Sequence, residues 1–178
     1  MPLAGSMLIM LYSGFTGACA QEAQWRGPDR NGCYPDTSLL RAWPEEGPEK
    51  AFVAEGIGRG FSSAVASGER IFVTGTVDST EYLTAIDFQG NQLWQKPYGP
   101  SWDQSFPDAR CTPTVEDERV YVLSGLDQMV CFNALDGSVI WSVNIHDRYR
   151  SHWDMFGVSE SILLVDENVI TTPAGEKT

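Results

Sequence analysis

The chain has 178 residues and carries 12 Lys and Arg against 24 Asp and Glu, a net charge of −12 at neutral pH. That balance argues against a nucleic-acid partner, whose phosphates call for clustered Lys and Arg, and against docking on an anionic membrane surface. Its plain meaning is a well-solvated acidic surface. The length suffices for one sizeable core, and 17 Gly with 11% aromatic residues suit an all-β protein with many turns.

Residues 1–20 contain no Lys, Arg, Asp or Glu. A short apolar centre, Leu8–Leu11, and the small-residue run Ala18-Cys19-Ala20 before Gln21 read as a secretory signal peptide, although no positive residue precedes the apolar part. The stretch is too short and too rich in Gly and Ser to span a bilayer, and no later segment reads as transmembrane. Thr16-Gly17-Ala18-Cys19 also resembles a lipoprotein box, with Thr16 where Leu is usual, and offers Cys19 as a lipid anchor. Residues 21–60 are predicted as an extended, irregular lead-in, because Pro28, Pro35, Pro44 and Pro48 preclude a long helix. Within it Ala51–Glu55 reads as one strand, of the kind that closes a ring of blades from the opposite chain end. Gly56-Ile57-Gly58-Arg59-Gly60 lacks the Lys-Ser/Thr and the helix of a phosphate loop, and reads as a turn.

From residue 61 the chain repeats itself. Thr112–Val115, Arg119–Ser124, Met129–Asn133 and Ser138–Val143 are short runs of β-branched and aromatic residues. Glu116–Glu118, Gly125-Leu126-Asp127 and Asp136-Gly137 separate them as turns, which makes an antiparallel meander. Arg70-Ile71-Phe72-Val73 lies 49 residues before Arg119-Val120-Tyr121-Val122, and Gly90–Trp94 lies 47 residues before Gly137–Trp141. A third copy opens at Ser159, with Asn168-Val169-Ile170 standing 49 residues beyond Arg119-Val120-Tyr121. Such a period, with four strands per unit and a Trp in the last, predicts an all-β fold: a partial β-propeller of four-stranded antiparallel blades over residues 61–178. Ala64, Val65, Ile71, Val73, Leu83, Ala85 and Ile86 are predicted to be buried in the first repeat. Val115, Val120, Val122, Val130 and Phe132 are their counterparts in the second. Trp94 and Trp141 should pack between blades, each with a partner for its indole N–H.

With those residues in hand, the chain resembles secreted bacterial proteins with quinoprotein-like (PQQ-like) propeller repeats. Trp25-Arg26-Gly27-Pro28, Arg30-Asn31-Gly32, Trp43-Pro44, Gly47-Pro48, Gly58-x-Gly60-Phe61-Ser62-Ser63 and Thr112-Pro113-Thr114-Val115 carry the likeness. So do the repeat endings, Ala85-Ile86-Asp87 to Trp94 and Phe132-Asn133-Ala134 to Trp141. Asn133 stands where the family usually has Asp, and the first copy is one residue short between Asp87 and Gly90. The family includes the scaffold lipoprotein of the outer-membrane β-barrel assembly machinery, which is not an enzyme, and quinoprotein alcohol dehydrogenases. Its propellers usually have seven or eight blades. The resemblance therefore implies that two blades and part of a third are the N-terminal piece of a longer product, with an unclosed ring and a bare edge.

A quinoprotein dehydrogenase would need adjacent cysteines, Ca²⁺ ligands and a catalytic Asp, and none can be matched to a position here. No catalytic residue, metal ligand or cofactor is assigned; PQQ and calcium belong only to the alternative reading. His146, Asp147, His152 and Asp154 match no metal spacing, and Ser62, Ser63 and Ser159 have no positioned His or Asp. Cys131 reads as a buried small hydrophobe, and Cys33 with Cys111 as a candidate bridge. The long connectors, Pro97–Asp108 and Ile145–Met155, are rich in Trp, Tyr, His, Asp and Arg. Trp102, Phe106, Tyr149, His152 and Trp153 on them are the candidate contact residues. The function this supports is a non-catalytic secreted or periplasmic scaffold that binds a protein or small ligand through its loops. The alternative is a structural part of a PQQ-dependent alcohol or sugar dehydrogenase.

Overall fold

The computed structural model describes residues 23–27, 29–34, 37, 39–153 and 155–173. The predicted signal peptide, Cys19 and Asp154 lie outside these residues. β1 (Val65–Ser67), β2 (Arg70–Val77), β3 (Thr80–Ile86) and β4 (Gln92–Pro100) form one antiparallel sheet in chain order. β5 (Thr114–Glu116), β6 (Arg119–Leu123), β7 (Gln128–Asn133) and β8 (Val139–Asn144) form a second of the same topology. A one-turn helix, α1 (Ile145–Tyr149), leads to the antiparallel pair β9 (Leu163–Val165) and β10 (Asn168–Ile170). These are two propeller blades and two strands of a third.

The repeat signature is turn chemistry. Asp87 Oδ1 accepts from the amides of Gln89 (2.9 Å) and Asn91 (2.8 Å), and Asn133 Oδ1 accepts from Leu135 N at 2.8 Å. Both are side-chain oxygens receiving backbone N–H groups, so the Asn that departs from the usual Asp does the same work. Immediately before the closing Trp, both sheets slip register: between Ala85 and Ile86, and between Cys131 and Phe132. The slip sets Trp94 opposite Ala85 and Trp141 opposite Cys131.

Trp94 lies in the seam between the two blades, 8% exposed. Its ring centroid is 5.9 Å from that of Phe72 and 6.3 Å from that of Phe132, and its indole N–H donates to Ala134 O at 3.3 Å. The β7–β8 turn closes over the ring at Gly137, whose φ of +69° favours glycine and where a Cβ would come within 2.8 Å of the indole. Trp141, on the opposite face of blade 2, meets Tyr121 at 5.9 Å and is only partly buried.

A second set of contacts links the blades at the start of each innermost strand. Ser63 N donates to Thr112 Oγ1 (3.1 Å), and Thr112 N donates to Ser161 Oγ (3.0 Å), each link spanning 49 residues. Thr74 Oγ1 donates to Cys111 O, and Thr114 Oγ1 to Ile162 O, both at 2.7 Å. One hydroxyl per blade thus receives the amide of the blade before it, so the period appears in hydrogen bonds as well as in strands.

Three expectations need correction. In the first repeat Phe72 is buried, while Ile71 and Val73 are only partly buried and Ala64 is exposed. Phe72 faces blade 2, whereas Ile71 and Val73 face the side of blade 1 that, among the described residues, the lead-in alone covers. Blade 2 has neighbours on both faces, so four consecutive residues, Val120 to Leu123, are buried. Second, Ala51–Glu55 forms no strand: it has no ladder partner among the described residues and lies over blade 1, Phe52 packing on Gly90. Third, Cys33 and Cys111 are both free, Cys33 exposed and Cys111 buried. Cys111 Sγ is engaged in the core by Leu123 N at 3.3 Å, so it cannot turn to the lead-in.

The start of the lead-in goes elsewhere. Ala23 exchanges both backbone hydrogen bonds with Val115, at 2.9 and 2.7 Å, along the free edge of β5. Arg30 Nη2 donates to Leu164 O on β9 at 2.6 Å. Ala23 and Arg30, on either side of the Trp-Arg-Gly motif, therefore tie blade 2 to the third unit along their inner edges.

Candidate functional site

The two long connectors emerge at the same rim of the blades and fold against each other. Their base is a pair of buried carboxylates. Glu81, fully buried at the head of β3, accepts from Tyr98 Oη (2.5 Å) and from Gly125 N (2.9 Å). Burial pushes its carboxyl above the ordinary value, and the hydrogen bonds from Tyr98 and Gly125 pull the other way. Asp127, 2% exposed, precedes β7 as Glu81 begins β3. Its Oδ2 accepts from Ser151 Oγ (2.5 Å) and from Trp153 Nε1 (2.8 Å), which clamps the second connector to the blade. Each blade thus puts an acid at the head of its third strand and uses it to hold a later segment of the chain.

α1 starts the second connector. Asn144 Oδ1 caps it by accepting from Asp147 N at 2.8 Å, and Arg150 ends it in the left-handed region at φ 53°. His146 then stacks on Trp153 at 4.3 Å between centroids. On the first connector Trp102 is 5% exposed, its indole donating to Ser105 O at 3.1 Å. It is wedged so tightly against Gly125 and Gly157 that a Cβ on either would come within 2.8 Å of it. Trp102, predicted as a contact residue, is therefore the post on which the rim is built.

Above this base the connectors join. Ser105 Oγ donates to Met155 O, and the Phe106 and Phe156 rings lie 6.0 Å apart. Phe106 (65%), Met155 (62%), Phe156 (45%) and Trp153 (40%) remain exposed as an apolar ridge. Met155 and Phe156 lie at and just past the end of the predicted second loop, and their role shows only when the two connectors meet in space. His152 is exposed nearby. Tyr149, 41% exposed, lies away from the ridge and lines a groove beside Trp141.

Ser151 is 3% exposed and committed to Asp127. Burial pushes the Cys111 thiol up to about 12 and the Cys131 thiol to about 11, so neither is a thiolate at neutral pH.

A family model described as "outer membrane protein assembly factor BamB" matches residues 24–176. The chain belongs to this family of PQQ-like β-propeller repeat proteins. No curated protein matches the chain. Among solved structures it is similar to a europium-containing methanol dehydrogenase, at a TM-score of 0.44 and 14% identity, covering 64% of this chain and 20% of that one. The chain thus spans about a fifth of that enzyme's length. Among the described residues of this propeller-repeat protein, no three His, Cys, Asp or Glu side chains are grouped to hold a metal ion. The sequence has no Cys-Cys pair either. No helix among the described residues is long and apolar enough to cross a membrane.

Proposed function

We propose that the chain is a non-catalytic propeller module of the periplasm or the secreted fraction that holds a protein partner on its connector rim. The observation that carries this reading is the ridge of Phe106, Trp153, Met155 and Phe156, exposed yet mounted on buried posts at Trp102 and Asp127. Large apolar side chains that stay in water on a rigid base gain most from a partner that covers them, because little ordering remains to be done on binding. The signal-peptide pattern of residues 1–20 supports export, and the family's description as an assembly factor supports a binding role.

The test is selection from a displayed peptide library, followed by affinity measurement on the double variant F106A/F156A. Selected peptides should lose at least tenfold in affinity while the circular dichroism of the variant is unchanged. Peptides that bind the variant as well as the parent would move the contact elsewhere. Oxidation of an alcohol or sugar by the purified chain with added quinone and Ca²⁺ would end the non-catalytic reading.

A further inference from the structure

The strand ends opposite the connector rim form a second surface. In an antiparallel blade the turns after the first and third strands fall at that far end. These are residues 68–69 and 87–91 in blade 1, 117–118 and 134–138 in blade 2, and 166–167 in the third unit. Blades pack face against face, as blades 1 and 2 do around Trp94, so a neighbouring blade leaves these turns in water. Each full blade puts two apolar side chains there, all about half exposed. Phe88 and Leu135 stand 47 residues apart at the turn tips, and Leu93 and Ile140, also 47 apart, each precede a closing Trp. Phe88 and Leu93 line, with Glu69, Arg70 and Asp87, a groove of about 460 Å³. The setting is acidic. Residues 68–70, 87–91, 116–119, 134–138 and 166–167 hold eight Asp and Glu against Arg70 and Arg119, a net of −6 and half of the chain's −12. The rim connectors, Pro97–Asp108 and Ile145–Met155, hold four Asp against Arg148 and Arg150.

The turns that carry these side chains are held by their own hydrogen bonds. Asp87 accepts from Gln89 N and Asn91 N, Asn133 from Leu135 N, and Asp136 from Ser138 N, at 2.8–2.9 Å. Gly90 N and Gly137 N donate to the carbonyls of Asp87 and Asn133. An extended segment would find these amides taken, so the surface fits a partner that satisfies its own backbone, which a helix does. We infer that this far end is a second docking surface, for an amphipathic helix of a partner protein whose flanks are Lys and Arg. The apolar stripe of the helix covers Phe88, Leu93, Leu135 and Ile140, and its cations meet the carboxylates of the turns. Charge complementarity steers such a helix here rather than to the rim. Side chains already fixed on capped turns need little ordering when they are covered. An anionic lipid surface is repelled by the same carboxylates. The inference stands whether or not the rim holds a partner of its own.

The test uses the whole 178-residue chain and a short fluorescein-labelled peptide of Leu and Lys, spaced so that Leu forms one stripe of a helix. A control peptide has the same composition with the stripe scrambled. Anisotropy titration at physiological ionic strength should show the striped peptide binding at least tenfold more tightly than the scrambled one. F88S/L135S should weaken the striped peptide at least tenfold with circular dichroism unchanged, and F106A/F156A should leave it within twofold of the parent. D117N/E118Q should weaken it and flatten its salt dependence. Amide shifts on binding should fall on residues 88–91 and 134–138 and not on 102–108. The proposal is overturned if the two peptides bind alike, because net charge alone then suffices. It is overturned if F88S/L135S binds as the parent does, or if F106A/F156A loses tenfold, which assigns the helix to the rim. Should F88S/L135S not fold, the amide shifts and the scrambled peptide still decide.

Discussion

The two repeat tryptophans invite a direct comparison, because they share sequence position and strand register but not surroundings. Replacing Trp94 by Ala removes a side chain that is 8% exposed and touches Phe72 and Phe132 at 5.9 and 6.3 Å. Large aromatic to Ala changes in cores cost about 3–5 kcal/mol, and W94A also strips the Ala134 carbonyl of its indole donor. A value near the top of that range, roughly 4–5 kcal/mol, is expected. W141A removes a ring packed on Tyr121 but open to the groove, so only part of the burial term is lost, about 1–2 kcal/mol. The assay is urea unfolding followed by far-ultraviolet circular dichroism, comparing midpoints at unchanged slope. W94F, which keeps a ring in the seam, should fall between W94A and the parent. Equal losses for W94A and W141A, or a larger loss for W141A, would refute the assignment of Trp94 to a closed seam and Trp141 to an open one.

Glu81 makes a prediction about pH. Its carboxyl is raised above 4.5 by burial, so the folded state holds the proton more tightly than the unfolded state. Its contribution to stability is therefore present below pH 4.5 and lost as pH rises through the folded value. E81Q removes that loss, and the melting temperature of E81Q relative to the parent should climb from pH 4 to pH 7; a constant difference would contradict it. T112V deletes the hydroxyl that receives Ser63 N and should cost about 1–3 kcal/mol by urea unfolding, the range for a polar group left unpaired. T112S should restore most of the loss. D127A releases Ser151 and Trp153, so limited proteolysis should cut between residues 146 and 156 sooner, and Trp153 should become more accessible to quenchers.

The blades were legible because their signals are local: β-branched runs, acidic turns and a Trp at a fixed spacing. The face choice in blade 1 was not. Ile71-Phe72-Val73 is apolar on both faces, so alternation cannot say which side is covered. Ala51–Glu55 alternates between exposed and partly buried as a strand would, yet lacks the neighbouring strands that would make it one. At the rim, aromatic content marked the connectors but not the roles within them. Trp102 and Phe106 are four residues apart and equally apolar, and only the position of Gly125 and Gly157 makes the first a post and the second a contact. Asp127 read as a turn residue, which it also is. The donors it receives, Ser151 and Trp153, come from 24 and 26 residues away, beyond the reach of local pattern. The 49-residue chain of hydroxyls at 63, 112 and 161 was open to a search for repeats, since Ser and Thr hold those positions in every copy.

Packing of the two repeats as adjacent blades around Trp94 underlies both the rim and the far end. Nuclear Overhauser contacts from the Trp94 indole protons test this packing most directly. Adjacent blades predict cross-peaks to the α-protons of Gly137 and to the Phe132 ring, 43 and 38 residues away in sequence. They also predict slow exchange of the Trp94 indole N–H and fast exchange of that of Trp141. Indole contacts confined to residues of the first repeat, with both N–H groups exchanging alike, would contradict it.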